Sequence, residues 1–169
     1  DSFSEDSRFS SSSLAWYVEQ SLKQKERFVK NDISETANRL FLNFGHTIGH
    51  AIEFASIYDG EETIRHGEGV SLGMLAIFRI CIELSYLDES DISWLRSLLI
   101  RFGLPTYYKA MNLGLEPSAL ISNVVKLTFK DKKRTNAELR LVLLNGIGHP
   151  FIYKTSSKKP LTLGVQEVI

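Results

Sequence analysis

The sequence of 169 residues has little cysteine and no excess of charge of either sign. Its one cysteine, Cys81, cannot form a disulfide within the chain, which agrees with a reducing compartment. Because Cys81 lies in an apolar run, we expect a buried, inert thiol. Lys and Arg together number 20, as do Asp and Glu. The balanced charge gives no overall electrostatic field that would attract nucleic acid or an anionic membrane. We therefore expect neither as a partner.

Three further features are missing, and each excludes a class of protein. The longest apolar stretch, residues 70–87, is interrupted by Arg79 and Glu83, so it predicts a core helix rather than a membrane span. The N-terminus is polar and acidic, unlike a signal peptide, and we expect a cytoplasmic protein. No Gly-x-Gly follows a predicted strand before the helices, so the sequence shows no glycine-rich dinucleotide-binding unit.

The remaining composition and patterning predict one mainly helical domain. With 43% hydrophobic residues the chain is long enough for one compact core, but not for two ordinary domains. Residues 1–13 hold seven serines and are interpreted as a flexible leader before a domain over 14–169. The predicted fold is a helical bundle with a short β-hairpin near the C-terminus. Helices are predicted over 14–31, 35–57, 66–87, 92–102 and 117–127, and strands over 138–144 and 151–154.

Residues 42–53, with the sequence LNFGHTIGHAIE, are the most informative segment. His46 and His50 are four residues apart, which places both imidazoles on one face of a helix, one turn apart. Apolar residues cover the other faces, so we expect a helix that is buried all round and has one polar stripe. At about 100° per residue the stripe includes Arg39, Asn43, His46, His50 and Glu53, and Glu35 extends it.

Two observations favour a site over a chance pair of histidines. Gly45 and Gly49 each lower helix propensity by about 1 kcal/mol, which indicates that a second backbone or a ligand approaches closely. His66 opens the next apolar segment, so a third imidazole can lie near the first two at a helix N-terminus. A metal or a polar substrate would explain the stripe. A surface pair, or a hydrogen-bonded pair in the core, remains the alternative.

These motifs resemble those of the 3-dehydroquinate synthase family. Residues 42–53 resemble its LN-x-GHT-x-GHA-x-E signature, and His66-Gly67-Glu68-x-Val70 resembles its HGE-A-V motif. The resemblance extends over about residues 14–153. It also includes Lys25, Asp32, Glu35 and Arg39 upstream, and Asp131-Lys132-Lys133, residues 141–144 and residues 146–148 downstream.

The resemblance implies an enzyme of aromatic amino-acid biosynthesis. Members of the family use NAD and a divalent metal, normally zinc or else cobalt, to convert 3-deoxy-D-arabino-heptulosonate 7-phosphate into 3-dehydroquinate in the shikimate pathway. It implies that His46 and His66 are metal ligands, and that His50 contacts the substrate or relays a proton. Neutral imidazoles suit zinc, whose catalytic sites usually have three protein ligands and an open position.

The same resemblance implies how the substrate is held. Lys25, Arg39 and Asn43 would bind its carboxylate, hydroxyl and phosphate ends, with Glu35 beside the cations. One lysine of the pair Lys132 and Lys133 would reach the phosphate. Fixed cations at both ends of a substrate orient it for successive steps.

Several departures from the family pattern limit what this chain is expected to do alone. The family's N-terminal NAD-binding domain is missing, as is the E-V-I-K segment whose glutamate supplies the third metal ligand. Glu53 or Glu68 could complete the metal site, although the resemblance gives neither of them that role. Smaller departures are Gly69, where the family usually has alanine, and a longer loop before His66.

We therefore interpret residues 14–169 as the metal- and substrate-binding C-terminal domain of such an enzyme. Its expected partner is the NAD-binding domain, the full-length protein is expected to be a homodimer, and this chain alone is expected to be inactive. The alternatives are another sugar-phosphate cyclase, of the 2-deoxy-scyllo-inosose or valiolone type, an iron-type alcohol or glycerol dehydrogenase, or a non-catalytic helical binding module. Arg39 and Lys25 favour a carboxylated substrate.

Overall fold

The chain divides after Leu42 into two units, residues 1–42 and 43–169. The computed structural model describes residues 10–31, 38–57, 63–108, 116–129 and 138–169. Its elements are α1 (Ser11–Asn31), a 3-10 helix (Asn38–Asn43), α2 (His46–Ala55), α3 (His66–Glu83), α4 (Glu89–Arg101), α5 (Pro117–Thr128), β1 (Leu139–Leu144), β2 (Pro150–Thr155) and α6 (Lys159–Gln166). The predicted mainly helical fold with a hairpin near the C-terminus is confirmed.

Helix α1 of the first unit begins at Ser11, inside the serine-rich segment interpreted as a leader. Ser10 starts the helix, because its Oγ accepts a hydrogen bond from the backbone N–H of Ser13 at 3.2 Å. Two ion pairs lie on its exposed surface, Glu19 with Lys23 and Glu26 with Lys30. The partners within each pair are one helical turn apart.

The predicted single helix over 35–57 is wrong, because Gly45 interrupts it. The 3-10 helix ends at Asn43, and Gly45 has a φ of 77°, a left-handed conformation that glycine adopts without strain. Arg39 and Asn43 therefore do not share a helix with His46, and the predicted stripe is restricted to the residues of α2. That helix is also not buried all round, since Phe54 is 69% exposed.

Helix α3 is the core of the second unit, as its apolar sequence predicts. Leu72, Leu75, Ile77 and Ile80 are at most 1% exposed, and α3 contacts α2, α4, α6 and β1. None of the helices in the described ranges has the length and apolarity to cross a bilayer. The helix ends before the predicted Leu87 in a Schellman motif, in which Ser85 is left-handed and the N–H of Tyr86 donates to the carbonyl of Cys81 at 2.8 Å.

The prediction for Cys81 is confirmed. Its side chain is fully buried, and Sγ accepts a hydrogen bond from the backbone N–H of Leu144 at 3.4 Å. Burial raises the pKa of this thiol to about 11, so the reactive thiolate is scarce at neutral pH.

Helices α2 and α3 cross with their backbones in direct contact. A Cβ on Gly49 would lie 2.8 Å from the carbonyl oxygen of Gly69, and a Cβ on Gly73 would lie 2.0 Å from that of Gly45. The glycines predicted that a second backbone or a ligand approaches closely, and the structure shows the second backbone at both Gly45 and Gly49. This contact brings the start of α3, which carries His66, beside α2.

The predicted β-hairpin is also confirmed. Strands β1 and β2 are antiparallel, with Leu139 opposite Thr155 and Leu144 opposite Pro150. Helix α6 follows the hairpin and was not predicted, because eight residues carry too little periodicity. It packs on α3, where a Cβ on Gly164 would lie 2.6 Å from the carbonyl oxygen of Ala76.

Arg79 interrupts the apolar run in the sequence. Its side chain connects α3 with Glu89 at the start of α4 and with Glu167 just after α6. Its Nε donates to Glu167 at 2.8 Å and its Nη1 to Glu89 at 2.5 Å. Arg96 of α4 also pairs with Glu167. The hydrogen bond from Arg79 lowers the pKa of Glu89, so the stabilisation by Glu89 is present above the ordinary carboxyl pKa and is lost as the pH falls through the lowered value.

We expect Glu167→Gln to lower the free energy of unfolding by about 2 kcal/mol, because it leaves two guanidinium groups without their shared carboxylate. The loss is smaller than for a fully buried pair, since these side chains are 18–32% exposed. Urea denaturation measures it, with Glu83→Gln on the exposed surface of α3 as the control. Equal stability of the two variants would contradict a stabilising role for this network.

Candidate metal centre

Three imidazoles meet where the start of α3 lies beside α2. The ring centroids are 5.7 Å apart for His46 and His50, 5.5 Å for His46 and His66, and 5.3 Å for His50 and His66. His46 and His50 are one turn apart on α2, and His66 is the first residue of α3. The prediction that a third imidazole lies near the first two is confirmed.

Two of the three imidazoles have Nδ1 held by an oxygen atom. Nδ1 of His46 lies 3.1 Å from the carbonyl oxygen of Phe44, and Nδ1 of His66 lies 3.0 Å from Oε1 of Glu53. A carbonyl and an ionised carboxylate only accept hydrogen bonds, so Nδ1 donates in both cases. In the neutral ring Nε2 then carries the lone pair, which is the usual state of a metal-binding histidine.

The two carboxylates that the sequence offers at this site have different partners. Glu68 Oε2 accepts a hydrogen bond from the backbone N–H of Arg65 at 2.7 Å and so caps α3. Glu53 instead faces the imidazoles, and its ligand atoms lie within 4.8 Å of those of His50 and His66. Converging imidazole nitrogens are donors that suit zinc. The residues of this region therefore fit a divalent metal ion.

The other predicted site residues are distributed over both units. Asn43 is half-buried at the end of the 3-10 helix, two residues before Gly45. Lys25, exposed on α1, and Arg39, half-buried in the 3-10 helix, belong to the first unit, and their role at the site stays a prediction. Glu35, Lys132 and Lys133 lie outside the described residues.

Thr63 and Tyr108 support the segment that leads into His66. Thr63 Oγ1 donates to the carbonyl oxygen of Ser56 at 2.7 Å and lies 3.1 Å from the hydroxyl of Tyr108. Tyr108 is 5% exposed, and its backbone N–H donates to the carbonyl oxygen of Val168 at 2.7 Å. Sequence reasoning missed both residues, because 45 positions separate them and no local pattern links them.

The fold of this chain is that of the sugar-phosphate cyclases. The crystal structure of 2-deoxy-scyllo-inosose synthase with carbaglucose-6-phosphate, NAD+ and Co2+ is 28% identical and superposes with a TM-score of 0.58, covering 82% of this chain and 36% of that one. The 2-epi-5-epi-valiolone synthase of Streptomyces hygroscopicus, with NAD+ and Zn2+ bound, has a TM-score of 0.67 over 92% of this chain and 40% of its own. At 15% identity, this second likeness shows the fold alone.

Within that class, the chain belongs to the 3-dehydroquinate synthase C-terminal family, whose model matches residues 2–134. The 3-dehydroquinate synthase of Xanthomonas campestris pv. campestris is 41% identical over 137 residues, which are 80% of this chain and 35% of the relative. That of Clostridium perfringens is 39% identical over 132 residues, 78% of this chain and 35% of the relative. The chain thus spans about a third of the length of these curated relatives.

Proposed function

We propose that this chain is the metal- and substrate-binding part of a 3-dehydroquinate synthase, which converts 3-deoxy-D-arabino-heptulosonate 7-phosphate into 3-dehydroquinate and phosphate. The family and the names of its relatives support this activity. The structural observation that carries the proposal is the pair of imidazoles, His46 and His66, whose Nδ1 atoms are each held by an oxygen acceptor.

His46 and His66 bind the metal through Nε2 in this proposal. When bound, zinc or cobalt supplies a Lewis acid that stabilises negative charge on the substrate oxygens. His46 is the first residue of α2 and His66 is the first residue of α3, so both proposed ligands lie at helix starts. The two related cyclase structures contain NAD+. In this proposal, NAD binds mainly to the part of the full-length enzyme that this chain does not cover.

His50 has a different role, as the group that exchanges a proton with the substrate. It is exposed, its ring lies next to the other two, and no hydrogen bond joins it to another described residue. Its nitrogens can therefore accept or donate a proton at a substrate hydroxyl.

The remaining residues bind the charged ends of the substrate. Arg39 and Lys25 suit a carboxylate, Asn43 a hydroxyl, and Lys132 or Lys133 the phosphate, because guanidinium and ammonium groups form charge-assisted hydrogen bonds with anions. In the sequence, Glu35 stands between Lys25 and Arg39. In this proposal its carboxylate orients these two cationic side chains.

Another cyclase activity is the second candidate, favoured by the likeness to 2-deoxy-scyllo-inosose synthase. The identity of 39–41% to 3-dehydroquinate synthases, against 27–28% to that cyclase, supports the first candidate. A non-catalytic module would have no need for three converging imidazoles.

The test is an assay of phosphate release by the product of the whole reading frame that encodes this chain, with NAD and zinc. We expect turnover of the seven-carbon sugar-acid phosphate and none of glucose 6-phosphate. Turnover of glucose 6-phosphate alone would instead support the second candidate, and no turnover of either substrate would contradict the proposed 3-dehydroquinate synthase activity. This chain alone, assayed in parallel, is expected to be inactive.

A further inference from the structure

We propose that Thr63 and Tyr108 are positioning residues for the metal centre, because together they fix the chain that leads into His66. The proposal rests on the proposed role of His66 as a metal ligand. It assigns a task to two residues that neither the motif resemblance nor the related proteins assign.

The hydroxyl groups of Tyr108 and Thr63 form a directed chain of hydrogen bonds. Thr63 Oγ1 donates to the carbonyl oxygen of Ser56 at 2.7 Å. A hydroxyl has a single hydrogen, so Tyr108 is the donor in the contact of 3.1 Å between its hydroxyl and Thr63 Oγ1. Tyr108 therefore holds Thr63, and Thr63 in turn is bound to Ser56.

Ser56 is one fixed end of this chain of bonds. It follows the last residue of α2, is completely buried, and donates from its Oγ to the carbonyl oxygen of Glu53 at 2.8 Å. Residues 56–65 connect α2 to α3. The bond from Thr63 thus ties the end of this connection back onto α2, three residues before His66.

Tyr108 is the other fixed end. It belongs to a segment without helix or strand that follows α4, residues 105–108, which we call the strap. Hydrogen bonds from α3, from α4 and to the residues after α6 hold the backbone of the strap. They join the carbonyl of Pro105 to Ser71 Oγ at 3.1 Å, the carbonyl of Thr106 to Arg96 Nη1 at 3.0 Å, and the N–H of Tyr108 to the carbonyl of Val168 at 2.7 Å. Because three elements fix its backbone, the strap presents the hydroxyl of Tyr108 as a fixed donor.

The first turn of α3 starts from the residues that Thr63 holds. The carbonyl oxygen of Arg65 accepts the backbone N–H groups of both Glu68 and Gly69, each at 3.0 Å. His66 is the first residue of this turn, and its side chain is 58% exposed, so side-chain packing contributes little to its position. The backbone before it therefore decides where the imidazole lies.

Loss of either hydroxyl loosens this turn without removing a metal ligand. When residues 63–65 are released, the turn opens more often, and His46 and His66 keep the metal-binding geometry for a smaller fraction of the time. The apparent metal affinity falls in proportion to that fraction. One hydrogen bond of this kind typically changes an equilibrium about 3- to 10-fold, which sets the expected size of the effect.

The first test measures zinc affinity of the protein from the whole reading frame, by competition with a chromophoric chelator. We expect Thr63→Val and Tyr108→Phe each to weaken binding about 3- to 10-fold. Thr63→Ser keeps the hydroxyl and should bind as the wild type does. Thr128→Val is the matched control, because Thr128 is buried in α5 and its Oγ1 also donates to a backbone carbonyl, that of Val124 at 2.8 Å. Wild-type affinity in both Thr63→Val and Tyr108→Phe, or an equal loss in Thr128→Val, would overturn the proposal.

The double variant tests whether the two hydroxyls act as one chain. Thr63→Val leaves the buried hydroxyl of Tyr108 without its acceptor at 3.1 Å, and Tyr108→Phe then removes that hydroxyl. We expect the double variant to bind zinc at least as tightly as Thr63→Val does. Losses that add in full would show that the two residues act independently and would contradict the chain of bonds.

The second test reads the first turn of α3 by hydrogen–deuterium exchange of the same protein without metal, in a peptide over residues 64–72. We expect exchange about 3- to 10-fold faster in Thr63→Val, since local opening exposes the amides of Glu68 and Gly69. Exchange should be unchanged in Thr63→Ser and in Thr128→Val. Exchange in Thr63→Val at the rate of the wild type would show that Thr63 does not hold this turn.

The two tests together separate this inference from the proposed function. If His66→Ala abolishes zinc binding while Thr63→Val and Tyr108→Phe bind as the wild type does, only the positioning role is wrong. If His66→Ala binds zinc normally while exchange in Thr63→Val is faster, the strap holds the first turn of α3 and the proposed metal ligand is wrong.

Discussion

Gly73→Ala is expected to lower the free energy of unfolding of the second unit by about 3 kcal/mol, the upper end for an overpacked core. The new methyl would lie 2.0 Å from the carbonyl oxygen of Gly45 and 2.8 Å from the backbone nitrogen of Gly49. Both are backbone atoms, so no side chain can rotate out of the way. The two helices must separate, and since α2 carries His46 and His50 while α3 carries His66, the imidazole cluster must open as well.

Urea denaturation followed by circular dichroism measures this loss. Gly67→Ala is the matched control in the same helix, since its Cβ faces open space, and it should be neutral or slightly stabilising because alanine favours helix over glycine. Equal stability of Gly73→Ala and Gly67→Ala would show that the close crossing of α2 and α3 does not exist in solution.

His66→Ala in the protein from the whole reading frame is expected to weaken zinc binding by more than the roughly 100-fold that loss of an outer hydrogen-bond partner can cost. The change removes a nitrogen donor itself rather than a group that orients it. It also leaves the carboxylate of Glu53 without its partner at 3.0 Å.

Metal content after dialysis, together with chelator competition, measures this effect. His149→Ala is the matched control, because His149 is the fourth histidine and lies exposed in the turn between β1 and β2. Zinc content near that of the wild type in both variants would show that His66 is not a metal ligand.

Local patterns were sufficient to predict most of the helices and the hairpin. The apolar periodicity of residues 66–83 and the cap residues before α4 are properties of adjacent residues, so they can be read directly. The break at Gly45 could not be predicted in this way, because it lies where Met74 and Val70 of α3 approach Gly45 closely. A glycine in a helical pattern indicates such an approach without saying that the helix ends there.

The sequence predicted which histidines form the site. It did not predict how the carboxylates are arranged around them. The four-residue spacing of His46 and His50 indicated a shared face, and the motif after the loop indicated that His66 joins them. Which carboxylate faces the imidazoles depends on the crossing of α2 and α3. Thr63 and Tyr108 pair across the chain and carry no sequence signal.

The central claim is that His46 and His66 hold the metal through Nε2. A crystal structure of the protein from the whole reading frame with zinc, with an anomalous difference map at the zinc edge, tests it most directly. We predict a single peak about 2.1 Å from Nε2 of both His46 and His66, with Glu53 still on Nδ1 of His66. A peak bonded to His50 and Glu53, with His46 unligated, would contradict the claim.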